Sequence, residues 1–579
     1  LEKIRDQLDS APAGSEGRMR AVEWALECGL KTPDPELLEA AGTALAQFSN
    51  RSGRAMAAKV VDADLLPQAD ALQARALFNE GDFAGAARFL DGCWLQLADG
   101  PGGAPALMLR AMAHQALGTP LAVFAAEFRE SIQGAGAAAA TPANSSRDAH
   151  GTLPDSQKAP DSPARSWHDH LLYLLELGEA GNHEALENEV RDLRDGNPGS
   201  APDDALIAVG HALLAHSLAA AGRAVRGLDA ALLAVSGLPA LQNRVFFFNE
   251  FVLGRLVACH LAMGEWESAE REMANYAAGD PRGAAAFSGS LQVLRGYSLL
   301  RQGRIERGYQ VLLPAVETLR LNDPLQMFRF GSALAFYVAA RLGDAAQAGR
   351  LELDYKDSPR GAAHQELLAA AYAAAASEYV SRDGKGLAAL HTLATTPDVT
   401  ARAGTLLELL AVCWDLGDHS VIPLVHSLAG NVEGRWAAAM STVAGQWDSA
   451  DADLLMDSAA TLETTGFVNL AREAYARASA VLENSGERRR ARQAVALREK
   501  CDHELGERFR EGQFIAAAPT VHLTRREQDI VELAVQGLTD REIAQRLMVS
   551  VRTVEGHLYR TYVKLGVRSR DELATALPH

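Results

Sequence analysis

The sequence LVACHLAMGEWESA at residues 256–269 contains the pattern that sets the architecture of most of this chain. An apolar run with helical spacing ends at Gly264, and a second helix opens with small residues at Ser268 and Ala269. Glycine adopts the left-handed conformation at a helix C-terminus with the least strain, and small residues after it let the second helix pack closely. The stretch therefore predicts a helical hairpin.

The same pattern recurs at ALFNEGDFAGAA (76–87), LLRQGRIERGY (299–309) and VAARLGDAAQA (338–348). The turn glycines in the middle of the chain are Gly181, Gly222, Gly264, Gly303 and Gly343. Their nearly constant spacing suits a two-helix unit and resembles tetratricopeptide-type repeats, although the present units are longer than the usual period of about 34 residues. Stacked hairpins bury one continuous core, so we predict an all-α chain containing a tetratricopeptide-like α-solenoid.

Length and composition agree with a soluble helical protein of several parts. A chain of 579 residues is too long for one hydrophobic core, and its 48% apolar and 22% charged residues are ordinary for a folded protein. No apolar run approaches the roughly 18 residues that a membrane span needs. We expect a cytoplasmic location, in association with the nucleoid, and no membrane partner.

The sequence shows no recognisable pattern of catalytic or metal-binding residues. The five cysteines are widely scattered, at Cys28, Cys93, Cys259, Cys413 and Cys501. They are expected to be small buried apolar residues. The sequence contains no HExxH, GxSxG or paired CxxC motif, so we predict neither an enzyme nor a metal site.

Composition places the boundaries of five segments. Helical repeats are predicted over 1–133, a disordered low-complexity insertion over 134–166, the α-solenoid over 167–505, a linker over 506–520 and a final module over 521–579. Residues 521–579 contain nine basic and eight acidic residues, a net charge of +1, so the total of −18 leaves −19 for residues 1–520. The final module is therefore electrostatically distinct from the rest.

Capping patterns mark short helices in the final module. Three pairs fit the capping box, in which a Ser or Thr side chain and a Glu three residues later satisfy each other's free amides: Thr524 with Glu527, Thr539 with Glu542, and Ser569 with Glu572. With Ser550 as a further N-cap, four helices are predicted, over 525–536, 540–547, 551–565 and 570–577. The short connection between the second and third predicts a helix-turn-helix that buries Ile543, Ala544, Leu547, Val554, Leu558 and Leu565.

One stripe of the third helix faces outward and can lie in a DNA major groove. The matching phrases LTRRE, QGLTDREIA, TVEGHL and KLGVRSR make this module resemble the C-terminal DNA-binding domain of LuxR-type transcription regulators. The resemblance places Glu555, Gly556 and Tyr559 at base-reading positions, although many relatives carry a basic residue in place of Glu555. It places Arg552, Arg560 and Lys564 near DNA phosphates, with Arg541, Arg546 and Arg568 as further candidates. Arg525 and Arg526 could form a solvated first turn, but because their charges oppose the helix dipole there, we favour phosphate contacts for them as well.

The chain also resembles the last two parts of the large ATP-binding regulators of the LuxR family, in which an ATPase precedes a tetratricopeptide-like sensor. No GxxxxGK[ST] phosphate-binding loop is found in this sequence. We therefore expect no cofactor in this chain, and ATP only if an ATPase domain precedes Leu1.

These observations predict a transcription regulator, with activation as the favoured output, that binds double-stranded promoter DNA as a homo-oligomer and contacts RNA polymerase. A small-molecule or protein inducer is expected on the solenoid. There the aromatic run Phe246, Phe247, Phe248 and Phe251 either lines a pocket or, as we favour, belongs to the core. The alternative is a tetratricopeptide-like interaction scaffold with a non-essential DNA-binding tail.

Overall fold

The computed structural model describes residues 15–97, 103–139, 166–195, 204–238, 248–359, 363–395, 402–505, 530–531, 533–547, 549–551, 554, 557–558 and 561. All regular elements in these ranges are helices, which confirms the predicted all-α class. The chain divides into two compact units. The first comprises Leu1–Cys413 and Ser420–Arg508, and the second comprises Trp414–His419 and Phe509–His579.

Helices follow one another through the first unit as a repeat-like array. Its opening part contains α1 (Glu16–Glu27), α2 (Asp34–Ala46), α3 (Asn50–Ala57), α4 (Leu66–Asn79), α5 (Phe83–Leu97), α6 (Gly103–Ala116) and α7 (Leu121–Ala139). Its middle part contains α8 (Trp167–Ala180), α9 (His183–Asp195), α10 (Asp204–Ala220), α11 (Ala224–Gly237), α12 (Phe248–Met263), α13 (Trp266–Gly279), α14 (Pro281–Ala286), α15 (Ser288–Arg301) and α16 (Ile305–Leu321).

The array continues with α17 (Phe328–Arg341), α18 (Ala345–Asp357), α19 (Ala363–Ser381), α20 (Lys385–Thr395) and α21 (Ala403–Asp415). A 3-10 turn (His419–Val421) then leads to α22 (Ile422–Ala429), α23 (Arg435–Gln446), α24 (Ala452–Thr464), α25 (Val468–Asn484) and α26 (Arg488–Leu505). Successive helices joined by short turns pack as antiparallel neighbours, as in helical repeats generally.

The turn glycines close these hairpins as predicted. Gly264 has φ +81°, its amide donates to the carbonyl of Leu261 at 3.1 Å, and the amide of Glu265 donates to the carbonyl of His260 at 2.9 Å. This pair of bonds is the Schellman motif, which satisfies carbonyls that the helix end would otherwise leave free. The other four predicted turn glycines also have positive φ, between +69° and +84°. Gly384, which the repeat pattern did not predict, continues the series one unit after Gly343 with φ +77°.

Small residues at the start of a second helix allow close packing, as expected. In α20, a Cβ added to Gly386 would clash with the carbonyl oxygen of Ala374 and lie 2.7 Å from the amide nitrogen of Glu378, both in α19. In α11, a Cβ added to Gly227 would lie 2.8 Å from the carbonyl oxygen of Ala215 in α10. The backbones of paired helices therefore approach more closely than any side chain at these positions would permit.

Later helices pack across the turns of earlier hairpins, a long-range arrangement that the repeat pattern does not reveal. The amide of Glu433 donates to the carbonyl of Gly222 at 2.8 Å, and its carboxylate accepts from the amide of Val225 at 2.9 Å. The guanidinium of Arg402 donates to the carbonyl of Glu179 at 3.1 Å. Segments that lie far apart in the sequence are thereby joined.

A buried polar network lies between two of these distant segments. Arg301 in α15 pairs with Glu408 in α21 at 3.4 Å, and its guanidinium carbon lies 4.2 Å from the ring centroid of Trp436. The Glu408 carboxylate also accepts hydrogen bonds from the hydroxyls of Tyr297, at 2.6 Å, and Tyr372, at 3.1 Å. Burial and the neighbouring carboxylate raise the pKa of Tyr297 well above its usual value, so the tyrosine stays a donor.

Two details differ from the sequence predictions. Cys28 is exposed, whereas the other four cysteines are buried, because Cys28 caps the C-terminus of α1 just before the turn at Gly29. Helix α7 extends to Ala139, so Gly134, the predicted start of the insertion, lies inside a helix. Residues 140–165 of the predicted insertion and all of the predicted linker, 506–520, lie outside the described residues.

Replacing Gly386 with alanine should destabilise the first unit. We expect Gly386→Ala to lower its free energy of unfolding by about 1–3 kcal/mol, because the new methyl group forces α19 and α20 apart. The matched control is Gly349→Ala in α18, where the added Cβ meets nothing within 4 Å. This control should raise stability by about 0.5–1 kcal/mol, as alanine does in a helix interior. Chemical denaturation followed by circular dichroism measures both, and equal effects would contradict the close packing.

Acid should weaken the fold through His216 in α10. Burial, followed by the charges of Arg255 and Arg402, lowers the pKa of His216 to about 3. The neutral histidine therefore stabilises the folded state fully above the unfolded pKa of about 6.5, and this contribution falls as the pH drops below that value. By pH 5 the loss should be about 2 kcal/mol, at about 1.4 kcal/mol per pH unit.

Unfolding titrations at pH 7 and pH 5 test this expectation. The decrease in stability between the two pH values should be smaller in His216→Gln than in the unsubstituted chain. His503→Gln is the control, because His503 is exposed. The same decrease in all three proteins would show that His216 is not held neutral by the fold.

Candidate nucleic-acid interface

The second helix of the C-terminal module, α27 (Asp540–Arg546), begins at the predicted capping box. The amide of Thr539 donates to the Glu542 carboxylate at 2.7 Å, and the amide of Glu542 donates to the Thr539 hydroxyl oxygen at 3.4 Å. Hydrogen bonds from the Thr539 amide and hydroxyl lower the pKa of Glu542. The two residues together fix where the helix starts.

A glycine turn separates α27 from the helical residues before it. Residues 530, 531 and 533–535 are helical, and Gly537 follows with φ +86°. The amide of Gly537 donates to the carbonyl of Ala534 at 3.1 Å, and that of Leu538 to the carbonyl of Leu533 at 3.2 Å. This is the same helix-ending motif that closes the hairpins of the first unit, and the sequence predicted it from Gly537.

A short connection follows α27 and leads into a third helical stretch. The amide of Val549 donates to the carbonyl of Ala544 at 3.0 Å, and the amide of Val554 donates to the carbonyl of Ser550 at 3.3 Å. Residues 551, 554, 557, 558 and 561 are helical. The described part of the module thus contains the predicted sequence of helix, turn and helix.

One compact apolar cluster holds these stretches together. Its buried members are Ile530, Val531, Ala534, Ile543, Ala544, Val554 and Leu558. The predicted core residues of the second and third helices are confirmed wherever they are described, although Leu547 is only partly buried. The third stretch also buries Thr561, whose hydroxyl donates to the carbonyl of His557 at 2.8 Å. The sequence prediction missed Thr561, although its helical spacing from the inward-facing Val554 was a signal for it.

Two of the predicted phosphate-contacting residues lie on the surface of α27. Arg541 and Arg546 are both exposed, on either side of the buried pair Ile543 and Ala544. The predicted base-reading residues Glu555, Gly556 and Tyr559 lie outside the described residues. The same holds for six predicted phosphate contacts, Arg525, Arg526, Arg552, Arg560, Lys564 and Arg568.

Two structural features are absent from the part of the chain that the structure describes. Among the described residues, no group of three or more His, Cys, Asp or Glu side chains is arranged to hold a metal ion. None of the described helices has the length and apolar character needed to cross a membrane.

Comparison with known proteins identifies the C-terminal module. Residues 521–577 match the family model of bacterial regulatory proteins, luxR family. A protein of Mycobacterium bovis named as a putative HTH-type transcriptional regulator is 51% identical over 51 residues, which cover 9% of this chain and 6% of that protein. A response regulator of Synechocystis is 47% identical over 57 residues, which cover 10% of this chain and 25% of that protein. The chain thus spans only a small part of the length of these two relatives.

The spore germination protein GerE of Bacillus subtilis is matched over most of its length. It is 42% identical over 55 residues, which cover 10% of this chain and 74% of that protein. The family match includes the capping box at Thr539, the turn at Gly537 and the buried cluster around Ile543. Through residues 521–577, this chain belongs to the luxR family of bacterial regulatory proteins.

Proposed function

We propose that this chain is a transcription activator whose helical-repeat region senses an inducer and whose C-terminal helix-turn-helix reads the major groove of promoter DNA. The proposal is carried by the helix-turn-helix core around α27, which matches the luxR family model over residues 521–577. Relatives that share this region are named as transcriptional regulators, which supports the same role here.

The proposed DNA-binding face combines base reading with phosphate contacts. Helical spacing from the inward-facing Val554 and Leu558 supports an outward position for Glu555, Gly556 and Tyr559. A glutamate at position 555 can accept a hydrogen bond from the amino group of cytosine, whereas it repels phosphate. The absence of a side chain at Gly556 would let the helix backbone approach the bases.

Cations around this face would supply most of the affinity. Arg541 and Arg546 are exposed on α27, and the proposed contacts also include Arg525, Arg526, Arg552, Arg560, Lys564 and Arg568. Because residues 521–579 carry a net charge of only +1, binding depends on the placement of these cations rather than on their excess. The net charge of −19 over residues 1–520 would suppress binding to unspecific DNA.

We expect a single module with a net charge of +1 to bind DNA weakly, and we propose that two copies of the chain bind together. Pairing two modules on half-sites about one helical turn apart raises their effective concentration on the operator. The inducer would act by changing this self-association, and the bound pair would contact RNA polymerase. These roles place the protein with the nucleoid in the cytoplasm.

The salt dependence of DNA binding tests the proposed phosphate contacts. Each lost contact should reduce the slope of log K against log salt concentration by about 1, because fewer counterions are released. The double variant Arg541→Ala, Arg546→Ala should therefore lower the slope by about 2 in fluorescence anisotropy with a labelled fragment. Arg191→Ala is the matched control, because Arg191 is exposed in α9 of the first unit. An unchanged slope in the double variant would remove both arginines from the interface.

Selection of bound fragments from genomic DNA tests sequence reading. The unsubstituted chain should enrich an inverted repeat, and the variant Arg552→Ala, Tyr559→Ala should lose that enrichment while keeping its circular dichroism spectrum. Reporter genes placed behind the enriched sites should be expressed more strongly when the chain is present. Enrichment without a shared sequence, or an unaffected double variant, would instead favour the interaction scaffold.

In a finer test, Glu555→Ala should relax the preference at one base pair of each half-site. The expected discrimination lost is about 1–3 kcal/mol, the usual value of a good side-chain contact to a base edge. Competition between fragments that differ at a single position measures this change. A uniform loss of affinity for all fragments would assign Glu555 a structural role instead of a base contact.

A further inference from the structure

A cavity of about 280 Å³ lies within the first unit. Its wall is formed by helices from the opening, middle and later parts of the array, including α6, α10, α12, α15, α17 and α21. Its volume lies close to the lower bound for small-molecule sites, which span about 300–1,000 Å³. The cavity exists because later helices pack across the earlier hairpins, so a ligand inside it would contact all three parts of the array.

Most of the cavity wall is apolar. Side chains on five different helices contribute to it, namely Met112, Leu213, Leu291, Leu294, Phe330 and Leu368. Such a wall favours a ligand with a hydrocarbon or aromatic body, because its burial releases apolar surface from water.

One cation on this wall has no counterion among the described residues. Arg255 in α12 donates from Nη1 to the carbonyl of Phe251 at 3.0 Å, and its guanidinium carbon lies 3.1 Å from the centroid of the Phe251 ring. Within the described ranges, the buried Nε atom of Arg255 has no hydrogen-bond partner, and Arg255 forms no ion pair. A guanidinium has five N–H donors, whereas Arg255 makes a single hydrogen bond within the described residues. Burial lowers the pKa of Arg255 to about 9, which reflects the cost of holding this charge without a partner.

The other charged groups on the wall already have partners. Arg301 pairs with Glu408, and Glu250 accepts a hydrogen bond from the Tyr276 hydroxyl at 2.5 Å. Glu179 accepts one from the amide group of Gln115 at 3.4 Å. Burial raises the pKa of both Glu250 and Glu179. Because the described part of the wall offers a single unpaired guanidinium beside carboxyl groups, a singly charged anion fits better than a phosphate dianion.

We propose that the cavity binds a small monocarboxylate with an apolar body, whose carboxylate group pairs with the Arg255 guanidinium, and that this ligand is the inducer. Phe251 then belongs to the binding site as well as to the packing of α12, whereas Phe246, Phe247 and the side chain of Phe248 lie outside the described residues. The inducer role rests on the sensory function proposed above, whereas the binding site itself does not.

Isothermal titration of the full chain with octanoate tests the site, and octanamide serves as the uncharged probe of matched shape. Octanoate should bind about tenfold or more tightly than octanamide, because hydrogen bonds to a charged group are stronger than neutral ones. Arg255→Met should abolish this preference, and Arg255→Lys should retain part of it. Arg191→Met, an exposed position in α9, should behave as the unsubstituted chain.

A second measurement keeps the test independent of folding. Arg255→Met replaces an unpaired buried charge with an apolar side chain of similar length, so its thermal midpoint should not fall. Three outcomes would overturn the proposed site. They are equal binding of octanoate and octanamide, an unchanged preference in Arg255→Met, and no binding of octanoate at about 10 mM. That concentration is tenfold above a weak Kd of about 1 mM.

Measurements of DNA affinity distinguish the proposed octanoate site from the proposed sensory function. Saturating octanoate should change the affinity for the selected operator at least about fivefold, the lower end of common allosteric couplings, and Arg255→Met should remove this change. If octanoate binds through Arg255 without any effect on DNA affinity, the binding site is supported and the inducer role is overturned. An effect of octanoate that persists in Arg255→Met would overturn the site and preserve a sensory function elsewhere.

Discussion

Close backbone contact at the hairpin turns holds the helical array together. The carbonyl of Gly222 accepts from the amide of Glu433 at 2.8 Å, and a Cβ added to Gly264 would lie 2.8 Å from the Cβ of Trp436. Gly222 and Gly264 therefore each have two roles. The positive φ ends one helix, and the missing side chain admits a segment from much later in the chain. The cavity and the buried Arg301 network both lie where these distant segments meet.

Two arginines of this array, Arg301 and Arg255, differ in how their positive charge is compensated. Arg301 has a carboxylate, two tyrosine hydroxyls near that carboxylate and an aromatic ring, so its charge is compensated within the protein. Arg255 has one carbonyl and one ring among the described residues, and it stands on the cavity wall. A buried charge without a counterion lowers the stability of the fold. An anionic ligand that pairs with this charge removes that cost and therefore binds more tightly.

The C-terminal module is held together by interactions over shorter distances in the sequence. A capping box at Thr539 begins its second helix, a glycine turn at Gly537 precedes that helix, and one small apolar cluster fixes the helices against each other. The capping box and the turn act within a few residues of sequence, and the cluster draws only on residues 530–558. That locality explains why a module of this size is matched across regulators that otherwise share little of this chain's length.

Local sequence patterns predicted the all-α class and the turns at Gly181 through Gly343. They also predicted the helix-turn-helix with its core at Ile543 and Val554. These predictions succeeded because caps, turns and helical periodicity are local features of the sequence. The same patterns did not reveal the exposure of Cys28 or the extension of α7 to Ala139, since helix ends depend on neighbouring packing. That Glu433 meets Gly222, and that Arg255 stands at a cavity without a counterion in the described ranges, became visible in the folded chain alone. Contacts between segments so distant in sequence depend on how many successive helices stack, which no short window of sequence contains.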